Sequence, residues 1–423
     1  MKLTPEKRTD QTRVVITGIG ALTPLGLTAK DTWQGLLSGT SGLDLIEFPE
    51  LEEHPCQIAG ELKDFNPRDY ISARESRRMA RFSQLAVIAT KMALQDSNLV
   101  LTEDEKEDVG VLTGTAVGGT VMEVEGGLRN LGTKSLMRVS PNHLLALPPN
   151  MAAFSIAQAF GFRGYNSTTV TACAAGAQAI GDAAEVIRHG RADVMISGGA
   201  EATLTPLTFA SFAILRALST RNGDPAASSR PFDADRDGFV MSEGSAIFVL
   251  ESLAHAKKRG ASIYAEIVGY AANSDGFHVI APKPDPNGPI KAIRYALADA
   301  GLTSEDVDYI NAHGTGTPLG DVAETKTIKT VFGQRAYEIP ISASKSMLGH
   351  GLGCAGAMEM LACLLSIRDN RIHPTINLDT PDPECDLDYV PHTARDAQVD
   401  VVLKNSFGMG NQNACIVLQR YNG

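Results

Sequence analysis

Residues 166–190 read NSTTVTACAAGAQAIGDAAEVIRHG, and how they fold decides the architecture. NSTTVTA is rich in β-branched residues, the composition of a strand. From Cys173 onward, Ala174, Ala177, Ile180, Ala184 and Ile187 keep a helical period, and His189-Gly190 stops it. A thiol therefore stands at a strand-to-helix turn, over the unpaired N–H groups of a helix start. That dipole end is expected to favour thiolate and lower the Cys173 pKa. Its free N–H groups can also receive a developing oxyanion. Taken by itself, the segment fits a small residue packed into a crowded turn at least as well.

The same alternation runs outward in both directions. Strand candidates begin at Arg13, Asp108, Ala192, Ser245, Ala265, Val307, Ile339, Asp400 and Asn413, with Ala-rich helical stretches such as SQLAVIATKMALQDS and GPIKAIRYALADAG between them. That pattern predicts α/β layers. An internal echo is visible. TACAAGAQAI, VMISGGAEA and AIFVLE recur in order as SKSMLGHGLGCAGAMEML, VLKNSFGMGN and ACIVLQ. Two related α/β halves are expected, 13–260 and 261–421.

Composition narrows the class. The chain has 423 residues, 43% hydrophobic and 21% charged, as in ordinary globular proteins. A formal net charge of −11 argues against a nucleic-acid footprint, which needs a basic face. It leaves room for an acidic partner at a local basic patch. The polar start MKLTPEKRTDQTR lacks the apolar stretch of a signal peptide, and no run is long enough to span a bilayer. A cytoplasmic location without membrane association is the expectation. The six cysteines are scattered without a CxxC pair, so they read as reduced thiols and not as a disulfide or zinc framework.

Three further motifs carry chemistry. NAHGTGTPLGD puts His313 just past a strand, where a side chain projects into a cleft and the threonines can bond an extended amide-bearing ligand. SASKSMLGHG holds Lys345 and His350, and the following apolar helix carries Glu359, the natural partner of a buried lysine. NSFGMGNQN places Phe407 in a glycine-flanked turn, a core aromatic by default or a gate. Two look-alikes fail. DADRDGFVMSEG starts like a calcium loop but has Gly244 where a bidentate Glu is needed. GLGCAG from Gly351 lacks the strand and βαβ context of a dinucleotide fingerprint.

Taken as a set, TACAAG, GGAEA, RALSTRN, SRPFDADRDGFVMSEG, NAHGTGTP, SKSMLGH, PTINLD and NSFG resemble the β-ketoacyl-[acyl-carrier-protein] synthase family of the thiolase superfamily, and within it the elongating type II synthases. The resemblance spans nearly the whole chain. It implies a thiolase-like α/β fold, two related halves stacked as a layered α-β-α-β-α core. It also implies decarboxylative condensation of an acyl group with malonyl-[acyl-carrier-protein], without metal or organic cofactor. Cys173 matches the nucleophile that holds the acyl chain. His313 and His350 match the pair that binds the malonyl thioester carbonyl. Lys345 matches the lysine that orders the site, with Glu359 as its acid. Phe407 matches the gate, and its N–H with that of Cys173 would form the oxyanion hole. Thr315 and Thr317 match the threonines that hold the phosphopantetheine arm, and Val117 and Phe212 match the acyl pocket. A landing patch for the acidic carrier protein is expected at Arg74, Arg77, Arg78, Arg138 and Arg216, and a homodimer is expected through a strand near GYNSTTV. A heterodimer with a partner subunit is the alternative assembly.

The chain departs from the family at Met409, Asn411 and Gln412 after NSFG, at Gly351 after His350, and at Asn142 and His143 after Ser140-Pro141. These changes leave open a dedicated polyketide or modified-fatty-acid pathway, or a non-catalytic chain-length subunit. His350 after SKSMLG disfavours a starter-type synthase, which pairs Cys with one His and an Asn. Cys415, inside a strand-like stretch, disfavours a thiolase proper.

Overall fold

The computed structural model describes residues 12–48, 50, 52–133, 140–279 and 281–423, and its dominant feature is a ten-stranded sheet built from one pattern used twice. In chain order the first half contributes Val14–Leu22, Gly110–Gly114, Asn166–Thr169, Val194–Glu201 and Gly244–Ser252. The second contributes Ala265–Ser274, Tyr309–Asn311, Ile341–Ser342, Val401–Gly408 and Gln412–Gln419. Counting strands one to five within each half, the lateral order is 1-5-4-2-3 in both, and the halves meet first strand to first strand. In both, strands two, three and four run parallel, and strand five is antiparallel to its two neighbours. The internal echo in the sequence is therefore an echo in topology.

The ladder joining the halves is short, Val14–Ile16 against Ala265–Ile267. Arg13 forks onto Glu266 beside it, at 2.9 and 2.6 Å. Two central helices, Ala175–Arg188 and Ala355–Asp369, each touch strands of both halves. Helix Arg81–Asp96 covers the outer face of the first half and Asn287–Ala300 that of the second. The result is the layered α-β-α-β-α core.

Small residues make the central layer possible. A Cβ on Gly176 would stand 2.8 Å from the Gly353 carbonyl oxygen, and one on Gly356 would stand 2.8 Å from the Ala177 nitrogen. Any larger residue there would push the helices apart. The second helix is buried from Ala355 to Ile367, which is why it is apolar all round and shows no amphipathic stripe.

Some strands are shorter than their composition suggests. The one expected to run through NSTTVTA stops at Thr169, because the chain must turn: Ala172 takes a left-handed φ of 49°. Asp233 of the calcium-loop look-alike is buried and paired with Arg230 at 3.0 Å. All six cysteines are unpaired and buried. Among the described residues no helix is long and apolar enough to cross a membrane.

Candidate active site

Each central helix begins in the same strained turn. Ala172–Ala174 form a 3-10 turn before Ala175, and Leu352–Cys354 form one before Ala355. The first residue of each turn matches in φ too: Ala172 at 49° and Leu352 at 47°. Left-handed backbone costs a non-glycine residue about 1–2 kcal/mol, and both turns are held by close packing. Gly408 lies against the first, where a Cβ would meet the Thr171 carbonyl oxygen at 2.9 Å and the Cys173 nitrogen at 3.1 Å. The place of Cys173 is taken in the second turn by Gly353, whose N–H donates to Glu201 Oε2 at 3.2 Å.

Cys173 is buried and receives the backbone N–H of Met409. Its thiol is nonetheless pushed up to about 11, because burial outweighs the Met409 donor and the Lys345 charge. The lowered pKa expected from the helix start is thus reversed. The cysteine sits in the 3-10 turn ahead of the α-helix, and desolvating a full charge moves a pKa further than a dipole end restores. Alkylation of Cys173 by iodoacetamide is therefore expected to rise about tenfold per pH unit between about pH 7 and 9. A plateau inside that range, read by mass spectrometry of the Cys173 peptide, would contradict it.

His313 stands two residues beyond Tyr309–Asn311, and its loop is held by two buried carboxylates of helix Pro318–Phe332. Glu324 accepts the N–H groups of His313 and Gly314, both at 2.8 Å. Asp321 accepts those of Thr315 and Gly316 at 3.1 and 3.2 Å, and that of Phe232 at 2.8 Å. Burial raises both acids, Asp321 to about 6. Thr315 and Thr317 hydroxyls lie 2.9 Å apart.

Lys345 Nζ donates to the His313 carbonyl at 2.5 Å and lies 3.3 Å from His313 Nδ1. An ammonium only donates, so Nδ1 accepts and the ring proton is assigned to Nε2. Lys345 is ion-paired with Glu359 Oε1, and Lys404 Nζ stands 2.7 Å from Glu359 Oε2. All three side chains are buried. His350 is fixed by its backbone, donating to the Val240 carbonyl at 2.7 Å while its own carbonyl accepts from Ser242 at 3.0 Å. The His313 and His350 rings meet edge to face, centroids 5.5 Å apart. Phe407 lies 5.9 Å from His313. Both imidazoles are held well below their usual range, first by burial, then by the Lys345 charge, with Lys404 adding to it. They are neutral at physiological pH.

One cavity of about 530 Å³ brings these groups together. Cys173, His313, His350 and Phe407 line it with Thr315 and Thr317. Phe212 also lines it, edge-on to Phe239 at 5.4 Å, and so does the exposed Arg216. Val117 does not: its N–H faces Glu201 Oε1 at 3.4 Å, in the turn after Gly110–Gly114. Arg74, Arg77 and Arg78 are exposed on and after the short helix Ala73–Ser76, whose Ser72–Glu75 capping box is formed. Arg138 lies outside the described residues.

Four buried charged groups carry the site without having been singled out in the sequence. Lys404 could have been found as a lone charge in the apolar strand VVLKNSFG. Asp321 and Glu324 are spaced i, i+3 on one helix face next to NAHGTGT. Glu201, the acid of GGAEA, accepts from Thr115, Gly118 and Gly353, tying the turn after Gly110–Gly114 to the turn at Gly353, and burial raises it to about 7.

This geometry has counterparts among known proteins. Residues 11–256 match the model of the beta-ketoacyl synthase N-terminal domain and residues 264–379 that of the C-terminal domain. A protein of Synechocystis sp. named 3-oxoacyl-[acyl-carrier-protein] synthase 2 is 48% identical over 97% of this chain and 99% of its own. A beta-ketoacyl synthase structure from Burkholderia phymatum superposes with a TM-score of 0.90 at 36% identity, covering 97% of this chain and all of that one. A type II polyketide ketosynthase, solved with its acyl-carrier protein and bound to the hexaketide, gives a TM-score of 0.88 at 35% identity over 98% of this chain and all of that one. With a cysteine-bearing turn and two neutral histidines at one cavity, a buried lysine against one of those histidines, and both domain models matched in order, the chain belongs to the β-ketoacyl synthase family.

Proposed function

We propose that this chain is an elongating condensing enzyme, an acyltransferase that joins an acyl group to malonyl-[acyl-carrier-protein], releasing CO₂ and leaving a 3-oxoacyl carrier in fatty acid chain elongation. The observation that carries the reading is the meeting of Cys173, from the half 13–260, with His313 and His350, from the half 261–421, at one cavity, with Lys345 behind His313.

In the first step Cys173 sulfur attacks the acyl-carrier thioester carbonyl. The new C–S bond forms, the bond to the carrier sulfur breaks, and the Cys173 proton leaves with the carrier thiol. N–H groups of Cys173 and Phe407 receive the oxyanion, while that of Met409 reaches the sulfur itself. Phe407 must swing to admit the chain. In the second step the malonyl C–COO⁻ bond breaks, its electron pair becomes an enolate, and CO₂ departs. His313 and His350 donate to the enolate oxygen. One donor of this kind is typically worth about 3–4 kcal/mol. The enolate carbon attacks the Cys173 thioester and expels the thiolate, which regains a proton. Thr315 and Thr317 bond the amides of the pantetheine arm, and Phe212 bounds the acyl chain, whereas Val117 stands outside the cavity.

The partner is an acyl carrier protein, landing at Arg74, Arg77, Arg78, Arg138 and Arg216. The related ketosynthase solved with its carrier supports that choice. A homodimer is supported by the edge strand Asn166–Thr169, around which Leu144, Leu145, Phe154, Tyr165 and Val170 are exposed. Action in the cytoplasm belongs to the same reading. A second reading, a ketosynthase of a dedicated polyketide or modified-fatty-acid pathway, draws on the loop after Phe407, where Met409 and Asn411 line the cavity.

The test is the mass of the carrier-bound product when the purified protein meets one acyl-carrier thioester and malonyl-carrier. A 3-oxoacyl product two carbons longer supports the proposal. No product from short, medium or long saturated chains would overturn the fatty-acid reading in favour of the specialised one.

A further inference from the structure

Lys404 is a buried cation beside the site to which the scheme above gives no part. It lies in strand Val401–Gly408, three residues before Phe407, and its side chain is fully buried. Its ammonium donates to the Asn405 carbonyl and to Ser406 Oγ at 3.1 Å, and it ion-pairs with Glu359 Oε2 at 2.7 Å, an oxygen that accepts no hydrogen bond. Glu359 therefore has one lysine at each oxygen. A single carboxylate cannot neutralise two ammonium groups, and replacing a buried ion pair by well-packed apolar residues is often neutral or stabilising, so stability alone gives no reason for the second lysine.

We propose that Lys404 is a positioning residue for the condensation, resting on the function proposed above. Its ammonium occupies the second oxygen of Glu359, so that Lys345 is confined to the first and turns its remaining protons to His313. Its charge, one layer behind the cavity, adds to burial and to Lys345 in keeping both imidazoles neutral and favours the enolate they bind. The groups facing it from every side are Lys345, Glu359, the Glu324 carboxylate 3.3 Å from Asn405 Nδ2, the thiols of Cys363 and Cys415, and the two histidines. The thiols are pushed far up by burial and stay protonated, so they add no charge behind the histidines.

Two variants separate charge from structure. Lys404→Met removes the ammonium, and Lys404→Gln removes its charge but keeps an N–H donor for Glu359. Both are expected to lower kcat about 10- to 100-fold with little change in KM for the malonyl thioester, one layer removed from the donors themselves. Both are expected to move the acid limb of the kcat profile upward, because losing a cation raises the histidine pKa. Lys404→Gln should recover the melting temperature without recovering the rate. NMR titration of the imidazoles reads the same shift without substrate, so it decides the role of Lys404 even if the wild-type protein forms no 3-oxoacyl product. Wild-type kcat and imidazole titration in both variants would overturn the proposal. So would rate and melting temperature falling and recovering together, or failure of both variants to fold, since Lys404 would then be structural only.

Discussion

Replacing Cys173 by Ala is expected to abolish chain elongation at every acyl length while leaving slow decarboxylation of the malonyl thioester. The two halves of the proposed reaction draw on different elements. Acyl storage needs the sulfur on the strained turn Ala172–Ala174. Enolate stabilisation needs His313 and His350, each fixed by contacts that do not include the sulfur: the Glu324 clamp and Lys345 for one, the Val240 and Ser242 backbone for the other. Without the thiol, acyl and malonyl groups would have to meet at the cavity while both are carried by separate partners, and the covalent route is lost. Product should fall below about 1% of wild type, with CO₂ release from malonyl-carrier still above the uncatalysed rate. Product above that level would move the acyl attachment elsewhere. Loss of decarboxylation together with elongation would mean that the sulfur, and not only the imidazoles, shapes the enolate site.

The second large effect is expected at Glu359. Its carboxylate is the shared counter-charge of Lys345 and Lys404, and all three side chains are almost without solvent contact. Glu359→Ala leaves two ammonium groups buried with no carboxylate between them. Breaking such a group typically costs about 3–5 kcal/mol. Urea unfolding should register that loss. Activity should fall as well, since Lys345 is then free to leave His313 Nδ1. Replacing Glu359 by Leu together with Lys345→Met and Lys404→Met should recover stability, because a packed apolar core avoids the desolvation cost, but not activity. A Glu359→Ala variant as stable as wild type would show that the lysines shed their protons on folding.

The sequence by itself determined a great deal here. The motifs are short, local and rigidly ordered, so TACAAG, NAHGTGTP, SKSMLGH and NSFG identified the turns from which Cys173, His313, Lys345 and Phe407 project. Strand and helix positions followed from period and from β-branched runs, because most segments are buried on a single repeating pattern. The echo between the halves was legible for the same reason, since the two halves pack alike.

Tertiary structure decided what depends on burial and on approach through space. No local pattern says that Lys404, 45 residues from Glu359 in the chain, would take the second oxygen of that carboxylate. Nor does one say that Glu201 would bridge the turn after Gly110–Gly114 to Gly353. The state of Cys173 is the clearest case. The sequence placed it at a helix start and so argued for a lowered pKa, whereas the folded chain closes over it and raises the pKa to about 11. A dipole can be read from a motif. Desolvation cannot, because it is set by every atom that the fold brings near.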